Sequence, residues 1–177
     1  YDLIIDKQKY KVSTPILGNF NVYNTLAAIT TCILLGLSRE DVIKRVQNLK
    51  SVSGRLDKVE NDKNVNIIVD YAHTPDALLN ILKSARLFTK NRIILVFGCG
   101  GNRDKAKRPI MGKIAQQNAD ISIITSDNPR FEKEMDIIED ILCGIDKTLD
   151  NYFVVQDRED SIKKAIELYE VGDLIII

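Results

Sequence analysis

Residues 121–130 have the sequence Ile121-Ser122-Ile123-Ile124-Thr125-Ser126-Asp127-Asn128-Pro129-Arg130. The first five form a short apolar run that is typical of a buried β-strand, and the Asp-Asn-Pro that follows Ser126 is typical of a turn. Turn chemistry does not require the arginine. A guanidinium fixed just beyond the carboxyl end of a strand can bind a carboxylate through two hydrogen bonds, and ligands of open α/β sheets bind at that edge. A surface turn with a solvated Arg130 is the competing interpretation.

The same order of strand, loop and helix recurs through the last two thirds of the chain. Strands are predicted at Val65–Val69, Arg92–Phe97, Ile121–Thr125, Tyr152–Val155 and Leu174–Ile177, and helices at Pro75–Phe88, Lys107–Asn118, Glu134–Cys143 and Arg158–Tyr169. The strands are continuous apolar runs, as expected when helices cover both faces of a sheet. The pattern therefore predicts an α/β fold with a doubly wound, mostly parallel sheet.

The first 54 residues follow a different pattern, and we predict that they form part of a separate domain. Leu3–Ile5 and Tyr10–Val12 predict a hairpin, and the apolar spacing of Val22–Leu37 predicts a helix. Ser38 is a suitable cap for a second helix. Ser51-Val52-Ser53-Gly54 is typical of a linker, so we place the domain boundary between residues 54 and 55.

Composition limits the classes of function. The chain has 177 residues, and its 25 basic residues balance 25 acidic ones, so a nucleic-acid partner is not expected. Its apolar runs are too short to span a bilayer, and its first residues lack the pattern of a signal peptide. Three widely spaced cysteines fit neither a disulfide framework nor a zinc site. We predict a cytoplasmic protein, and because both ends lie within strand-like patterns, we expect the chain to be part of a longer one.

The loop after the first strand of the alternating region contains Asp70-Tyr71-Ala72-His73. Residues 74–76, Thr-Pro-Asp, are explained by helix capping and by the helix dipole. The same rules do not explain Asp70, Tyr71 and His73. A carboxylate can accept hydrogen bonds from ribose hydroxyls, and the Tyr71 and His73 rings can stack on a base or hydrogen-bond to it. A loop histidine satisfied by its own surroundings is the competing interpretation of His73.

The loop after the second strand is Gly98-Cys99-Gly100-Gly101-Asn102-Arg103-Asp104. Its glycines permit close backbone approach and its N–H groups can form an anion nest, with Arg103 as the candidate anion contact. It lacks the third glycine of a dinucleotide fingerprint, and no Walker A loop occurs in the chain. Lys107 and Arg108 are unfavourable at a helix amino terminus and so indicate a nearby anion. Three such loops at one sheet edge predict a ligand site.

Several segments resemble the Mur ligases of peptidoglycan synthesis, and most closely the branch that adds meso-diaminopimelate to UDP-N-acetylmuramoyl-L-alanyl-D-glutamate. They are Gly18–Asn24, Gly54–Asp57, Asp70–Asp76, Gly98–Asp104 with Lys107–Met111, Asp127–Arg130 and Asp157-Arg158. The Asn-Pro-Arg sequence is similar to the diaminopimelate-adding rather than the lysine-adding members. The resemblance implies that residues 1–54 are the helical tail of a central ATP-binding domain. It implies that residues 55–177 are a Rossmann-like carboxyl-terminal domain, truncated at its end, that brings the amino acid.

The resemblance also implies an activity and a set of site residues. Full-length members use ATP and Mg²⁺ to make an acyl phosphate on the UDP-sugar dipeptide, which the incoming amine then attacks. The positions matching the family's ATP contacts are Asn19, Asn21, Asn24, Arg55, Asp70, Tyr71 and His73; those matching its diaminopimelate contacts are Arg103, Asp127, Asn128 and Arg130. These small molecules are the implied partners of a monomeric enzyme of cell-wall biogenesis, cell shape and cell division.

No catalytic residue and no metal ligand are assigned to this chain, because it has no P-loop, carbamylated lysine or magnesium ligands of the family. We therefore expect the chain alone to be inactive. It also stops before the family's Gly-Lys-Gly-His-Glu segment, and it has Gly54-Arg55-Leu56-Asp57 where Gly-Arg-Met-Glu is usual, so we expect an incomplete amino-acid pocket. The alternatives are another Mur ligase or a folylpolyglutamate synthetase, or a non-catalytic nucleotide-binding module.

Overall fold

The computed structural model describes residues 1–50 and 52–177, so the Ser51 of the predicted linker lies outside the described residues. The chain divides into two compact units, Tyr1–Leu56 and Asp57–Ile177. The strands are β1 (Asp2–Ile5), β2 (Gln8–Lys11), β3 (Asp57–Lys58), β4 (Ile67–Val69), β5 (Ile93–Phe97), β6 (Ile121–Ile124), β7 (Tyr152–Val154) and β8 (Leu174–Ile176). The helices are α1 (Asn19–Leu34), α2 (Arg39–Val46), α3 (Pro75–Arg86), α4 (Lys107–Asn118), α5 (Glu134–Leu142) and α6 (Arg158–Leu168).

The first unit contains the predicted hairpin and two helices. Asp6 and Lys7 form the turn between β1 and β2, and both have positive φ, as the mirror-image turns of two-residue hairpins require. The Ser38 hydroxyl accepts a hydrogen bond from the Asp41 N–H at 3.3 Å, which confirms the predicted cap of α2. Val12 and Ile29 are buried in the core of this unit.

Helix α1 begins three residues before the predicted start, because a polar side chain fixes its first turn. Asn21 is only 8% exposed, and its amide nitrogen donates to the Leu17 carbonyl at 2.6 Å. Its amide oxygen accepts from the side chain of Asn24 at 2.9 Å. Apolar periodicity cannot reveal a helix start that is set by such polar contacts.

The second unit contains, in its described residues, a six-stranded sheet with the order β3-β4-β8-β5-β6-β7. Neighbouring strands from β4 to β7 are parallel, and β3 is antiparallel to β4. The predicted α/β fold with a doubly wound, mostly parallel sheet is confirmed, and the other predicted elements of this unit are present with ends that differ by at most two residues. Strand β3 was not predicted, because two residues are too few to show a period.

The order of the strands places helices on both faces of the sheet. The strands β4, β5, β6 and β7 advance in one direction, and the α6 crossover then returns the chain to the gap between β4 and β5. Right-handed crossovers place α3, α4 and α5 on one face and α6 on the other, where Ala165 packs against Ile94 and Ile123. The carboxyl ends of these parallel strands lie at one edge of the sheet, which is the edge where ligands of open α/β sheets bind.

The start of α3 is the predicted one. The Thr74 hydroxyl accepts from the Ala77 N–H at 3.3 Å and Pro75 occupies the first helical position.

Among the described residues, no helix combines the length and the apolar character that crossing a bilayer requires.

Candidate functional site

The loops after β4, β5 and β6 surround two cavities at the carboxyl edge of the sheet. The smaller cavity has a volume of about 180 Å³ and is lined by residues that include Asp70, Tyr71, His73, Asp127 and Arg158. The larger one has a volume of about 520 Å³, which lies within the range of about 300–1,000 Å³ for small-molecule sites. Its lining residues are Tyr71, His73, Gly100, Arg103, Lys107, Asp127, Asn128 and Arg130.

The larger cavity brings together all four residues that match the diaminopimelate contacts of the family: Arg103, Asp127, Asn128 and Arg130. Tyr71 and His73, which match nucleotide contacts, line both cavities, as does Asp127. The two predicted sets of residues of the second unit therefore adjoin each other.

Arg130 is exposed, but its position is fixed by the two loops beside it. Its φ of +51° is uncommon for a residue other than glycine, and its N–H donates to the Asn128 side chain at 3.3 Å. Its guanidinium donates to the Gly101 carbonyl at 2.6 Å. A guanidinium has five N–H donors, so donors remain for a ligand carboxylate. Arg130 is thus a held cation and not a freely solvated turn residue.

The loop after β5 and the loop after β6 are hydrogen-bonded to each other along their lengths. The Gly101 N–H donates to the Asn128 carbonyl at 2.8 Å, and the Phe131 N–H donates to the Asn102 side chain at 3.0 Å. A Cβ on Gly101 would overlap the backbone of Pro129, so this close approach requires glycine. The two loops therefore form one layer at the mouth of the larger cavity.

Arg108 lies under this layer and is fully buried. Its guanidinium donates to both carboxylate oxygens of Glu132, at 2.9 and 3.0 Å, and to Asp140 at 2.8 Å. The nearby anion that Arg108 was expected to indicate is therefore provided by the chain itself, as Glu132 and Asp140, so this residue does not indicate a ligand. Nothing in the sequence distinguishes Glu132 from an ordinary surface glutamate.

Lys107, which the sequence indicated only as lying near an anion, also lines the larger cavity. Its ammonium donates to the His73 carbonyl at 2.6 Å, which joins the start of α4 to the loop after β4. With Arg103 and Arg130 it makes three cations around the larger cavity, and Asp127 is the carboxylate among the described lining residues. Such a set of charges suits a ligand with carboxylates and at least one ammonium group.

The loop after β4 presents an aromatic pair to both cavities. The rings of Tyr71 and His73 meet edge to face, with centroids 4.9 Å apart. The Nδ1 atom of His73 lies 2.9 Å from the Tyr71 carbonyl, and Asp70 accepts from the Ala72 N–H at 2.8 Å. These contacts within the loop hold the rings in place, and Tyr71 is exposed.

The remaining candidates belong to the first unit. Asn19 and Asn24 are exposed, whereas Asn21 is buried and bonded within the first turn of α1 and to Leu17. The Arg55 N–H donates to the Val52 carbonyl at 2.9 Å, just after Gly54, which has a φ of +71°.

The ion pairing of Glu132 allows us to predict how the free energy of unfolding depends on pH. Its pKa lies well below the ordinary value, because the Arg108 fork, the Asn102 N–H and Lys105 all stabilise the carboxylate. A carboxyl group with a depressed folded pKa stabilises the fold above its unfolded pKa of about 4.3, and this contribution is lost as the pH falls towards the folded pKa. We therefore expect Glu132→Gln to lose less unfolding free energy than wild type between about pH 5 and pH 3, measured by urea unfolding. An equal decrease in unfolding free energy over this pH range in the two proteins would contradict a depressed pKa of Glu132.

Comparison with known proteins agrees with this geometry. Residues 54–177 match the family described as "Mur ligase, glutamate ligase domain". The UDP-N-acetylmuramoyl-L-alanyl-D-glutamate--2,6-diaminopimelate ligase of Clostridioides difficile (strain 630) is 50% identical over 177 residues, which are 100% of this chain and 37% of that protein. The chain thus spans just over a third of the length of the curated relatives it matches.

Solved structures share the fold. A UDP-N-acetylmuramoyl-L-alanyl-D-glutamate--2,6-diaminopimelate ligase structure has a TM-score of 0.69 and 37% identity, over 99% of this chain and 36% of the other. The Mycobacterium tuberculosis folylpolyglutamate synthase complexed with ADP has a TM-score of 0.74 over 96% of this chain and 39% of the other, but its identity of 18% shows the fold alone. Because the family match includes all three loops of the carboxyl edge, the resemblance inferred from the sequence is confirmed: the chain belongs to the Mur ligase family.

Proposed function

We propose that this chain is part of an ATP-dependent ligase that adds meso-diaminopimelate to UDP-N-acetylmuramoyl-L-alanyl-D-glutamate in peptidoglycan synthesis. The main observation in favour is the held guanidinium of Arg130 at a cavity of about 520 Å³. Diaminopimelate differs from lysine by one carboxylate, distant from the reacting amine. Selecting it requires a fixed cation at that end, and arginine binds carboxylates in a bidentate manner. The similarity to ligases named for 2,6-diaminopimelate supports the same substrate.

In the proposed reaction this chain binds and orients the amino acid. Arg130 binds the distal carboxylate with help from Arg103, and Asp127 accepts from an ammonium group of the substrate. The Asn128 side chain accepts a hydrogen bond from the Arg130 backbone N–H and so holds Arg130 in place. ATP, when bound, supplies the phosphoryl group that activates the carboxyl group of the dipeptide. The chain's own contribution is to hold the attacking amine in a defined place, which lowers the entropic cost of the reaction.

We further propose that Asp70, Tyr71 and His73 contact the nucleotide from the carboxyl edge of the sheet. We also propose four nucleotide contacts in the first unit: Asn19, Asn21, Asn24 and Arg55. The described residues contain no group of three or more His, Cys, Asp or Glu side chains able to hold a metal ion, and we assign no magnesium ligand to this chain. In this proposal residues 1–54 belong to the ATP-binding domain and residues 55–177 to the amino-acid domain of a cytoplasmic monomer.

Asp70→Ala in the full-length protein is expected to raise the KM for ATP and to leave the diaminopimelate dependence little changed. Asp70 is half-buried in the smaller cavity, and losing a charged acceptor costs about 1.5–3 kcal/mol, or about tenfold or more in KM. Steady-state phosphate release measures both constants. Asp76→Ala removes the same charge from the exposed first turn of α3 and is the matched control. An ATP KM that is equal in wild type and Asp70→Ala would refute this role.

The proposed function is tested by the substrate requirement of phosphate release. The full-length protein is incubated with ATP and Mg²⁺, and phosphate release is expected only when the UDP-sugar dipeptide and diaminopimelate are both present. Release that requires a folate and glutamate would indicate a folylpolyglutamate synthetase. Nucleotide binding without release under any of these conditions would indicate a non-catalytic module.

A further inference from the structure

We propose that Glu132 and Arg108 are positioning residues for amino-acid selection, because together they hold the two loops that bear Arg103 and Arg130. This inference rests on the proposed function and goes beyond it, since neither residue lines the larger cavity. Their contacts join the loop after β5 to the loop after β6 at the base of the layer.

The Glu132 carboxylate is bonded to both loops at once. Glu132 lies two residues after Arg130, and it accepts from the N–H of Asn102, the residue that precedes Arg103, at 2.5 Å. It also accepts from both terminal nitrogens of Arg108, and the Lys105 ammonium lies 3.0 Å away. One carboxylate therefore fixes the separation of the two loops close to the residues that would bind the substrate.

The loop conformations at these points need such support. Asn102 and Arg130 both have a φ of +51°, a region that side chains other than glycine visit rarely. The Asn102 side chain accepts from the Phe131 N–H, and the Asn102 N–H donates to Glu132. These reciprocal bonds enclose the backbone on the carboxyl side of Arg130, while Asn128 binds it on the amino side. We call these contacts of Asn102, Asn128 and Glu132 the frame, and the direction in which Arg130 points depends on it.

Arg108 extends the frame to the helices behind the loops. It lies on α4 and binds Glu132, which precedes α5, and Asp140, which lies on α5. A Cβ on Gly112 of α4 would overlap the Ile141 carbonyl, so the two helices already approach closely. Movement of α5 relative to α4 is thereby restricted, and the loop that precedes α5 is restricted with it.

Stability alone does not explain a fully buried arginine at this place. Apolar side chains of similar volume often replace a buried ion pair at no cost in stability, and the Nε of Arg108 has no partner among the described residues. What an apolar replacement cannot supply is a pair of directed hydrogen bonds that fix the Glu132 carboxylate. The geometry of the loops is the property that the ion pair provides.

The test compares steady-state kinetics of the full-length ligase with those of two variants. Glu132→Gln keeps the size of the side chain and loses its charge, and we expect its KM for diaminopimelate to rise by about tenfold. Its kcat and its KM values for ATP and the UDP-sugar dipeptide are expected to stay within about twofold. Asn102→Gly keeps the positive φ and removes the acceptor for Phe131. It is exposed, so it reports on the frame even if Glu132→Gln does not fold, and we expect the same selective rise, about threefold or more.

Asp173→Asn is the matched control. Asp173 is 1% exposed and pairs with Arg92 at 2.7 Å, at the opposite, amino-terminal edge of the sheet. This variant is expected to melt at a lower temperature than wild type with an unchanged KM for diaminopimelate.

Three results would overturn the inference. The first is an unchanged diaminopimelate KM in the variants that fold. The second is an equal rise in the KM values of all three substrates, which would show a purely structural role. The third is a wild type that does not use diaminopimelate; this result alone would also overturn the proposed function, so the two failures are distinguishable.

Discussion

Replacement of Arg130 with alanine in the full-length protein is expected to lower kcat/KM for diaminopimelate by at least about tenfold, because a charge-assisted bidentate pair contributes about 1.5–3 kcal/mol. Removing the guanidinium leaves the distal carboxylate of the substrate in a cavity where Asp127 is a further negative charge. The KM values for ATP and the UDP-sugar dipeptide are expected to change far less. Steady-state kinetics with each substrate varied in turn gives these constants.

Two variants control this experiment. Arg130→Lys keeps the charge but not the planar fork, and we expect it to be poorly tolerated. Lys133→Ala removes a cation from the same loop at a position that lines neither described cavity, and we expect kinetics close to those of wild type. An Arg130→Ala variant with wild-type diaminopimelate kinetics would show that this arginine does not bind the substrate.

Among the variants proposed, Arg108→Ala is expected to lose the most stability, about 3–5 kcal/mol in the free energy of unfolding. The variant leaves the carboxylates of Glu132 and Asp140 without their buried cation, and it opens a cavity between α4 and α5. Urea unfolding at about neutral pH, where the Glu132 carboxylate is charged, measures the difference from wild type for the transition of the second unit.

Removing both members of the pair is expected to cost less than removing one. Arg108→Met fills most of the volume but leaves Glu132 with the exposed Lys105 as its remaining ion-pair partner. Arg108→Met with Glu132→Gln also removes the Glu132 charge, so the double variant is expected to be more stable than Arg108→Met alone. A loss below about 1 kcal/mol for Arg108→Ala, as for an exposed ion pair, would be inconsistent with a buried network.

Most of the fold was predictable because the central strands of its sheet are buried on both faces. Runs such as Ile93–Phe97 are apolar at every position and are separated by segments with helical spacing, so strand–helix alternation is visible in the sequence. The insertion of β8 between β4 and β5 was not predictable from local pattern, because it depends on pairing of Ile175 with Ile67 and Ile94, which lie far apart in the chain.

The site was predictable where its residues lack a local structural reason. Arg130 and Asp70 are such residues, and both line cavities at the carboxyl edge. Arg108 and Glu132 were not predictable as a buried pair, because a buried charge and a solvated one look alike in a sequence. Asn21 is predicted from the resemblance to contact the nucleotide, and what the structure shows is that its side chain fixes the start of α1, a role that depends on a carbonyl outside the helix.

The most direct test of the account is a competition between amino acids. The full-length protein is incubated with ATP, Mg²⁺, the UDP-sugar dipeptide and equal concentrations of meso-diaminopimelate and lysine, and the two products are separated by mass. The account predicts that the diaminopimelate product exceeds the lysine product by about tenfold or more, and that Arg130→Ala removes most of this preference. Equal products, or an excess of the lysine product from the wild-type protein, would contradict it.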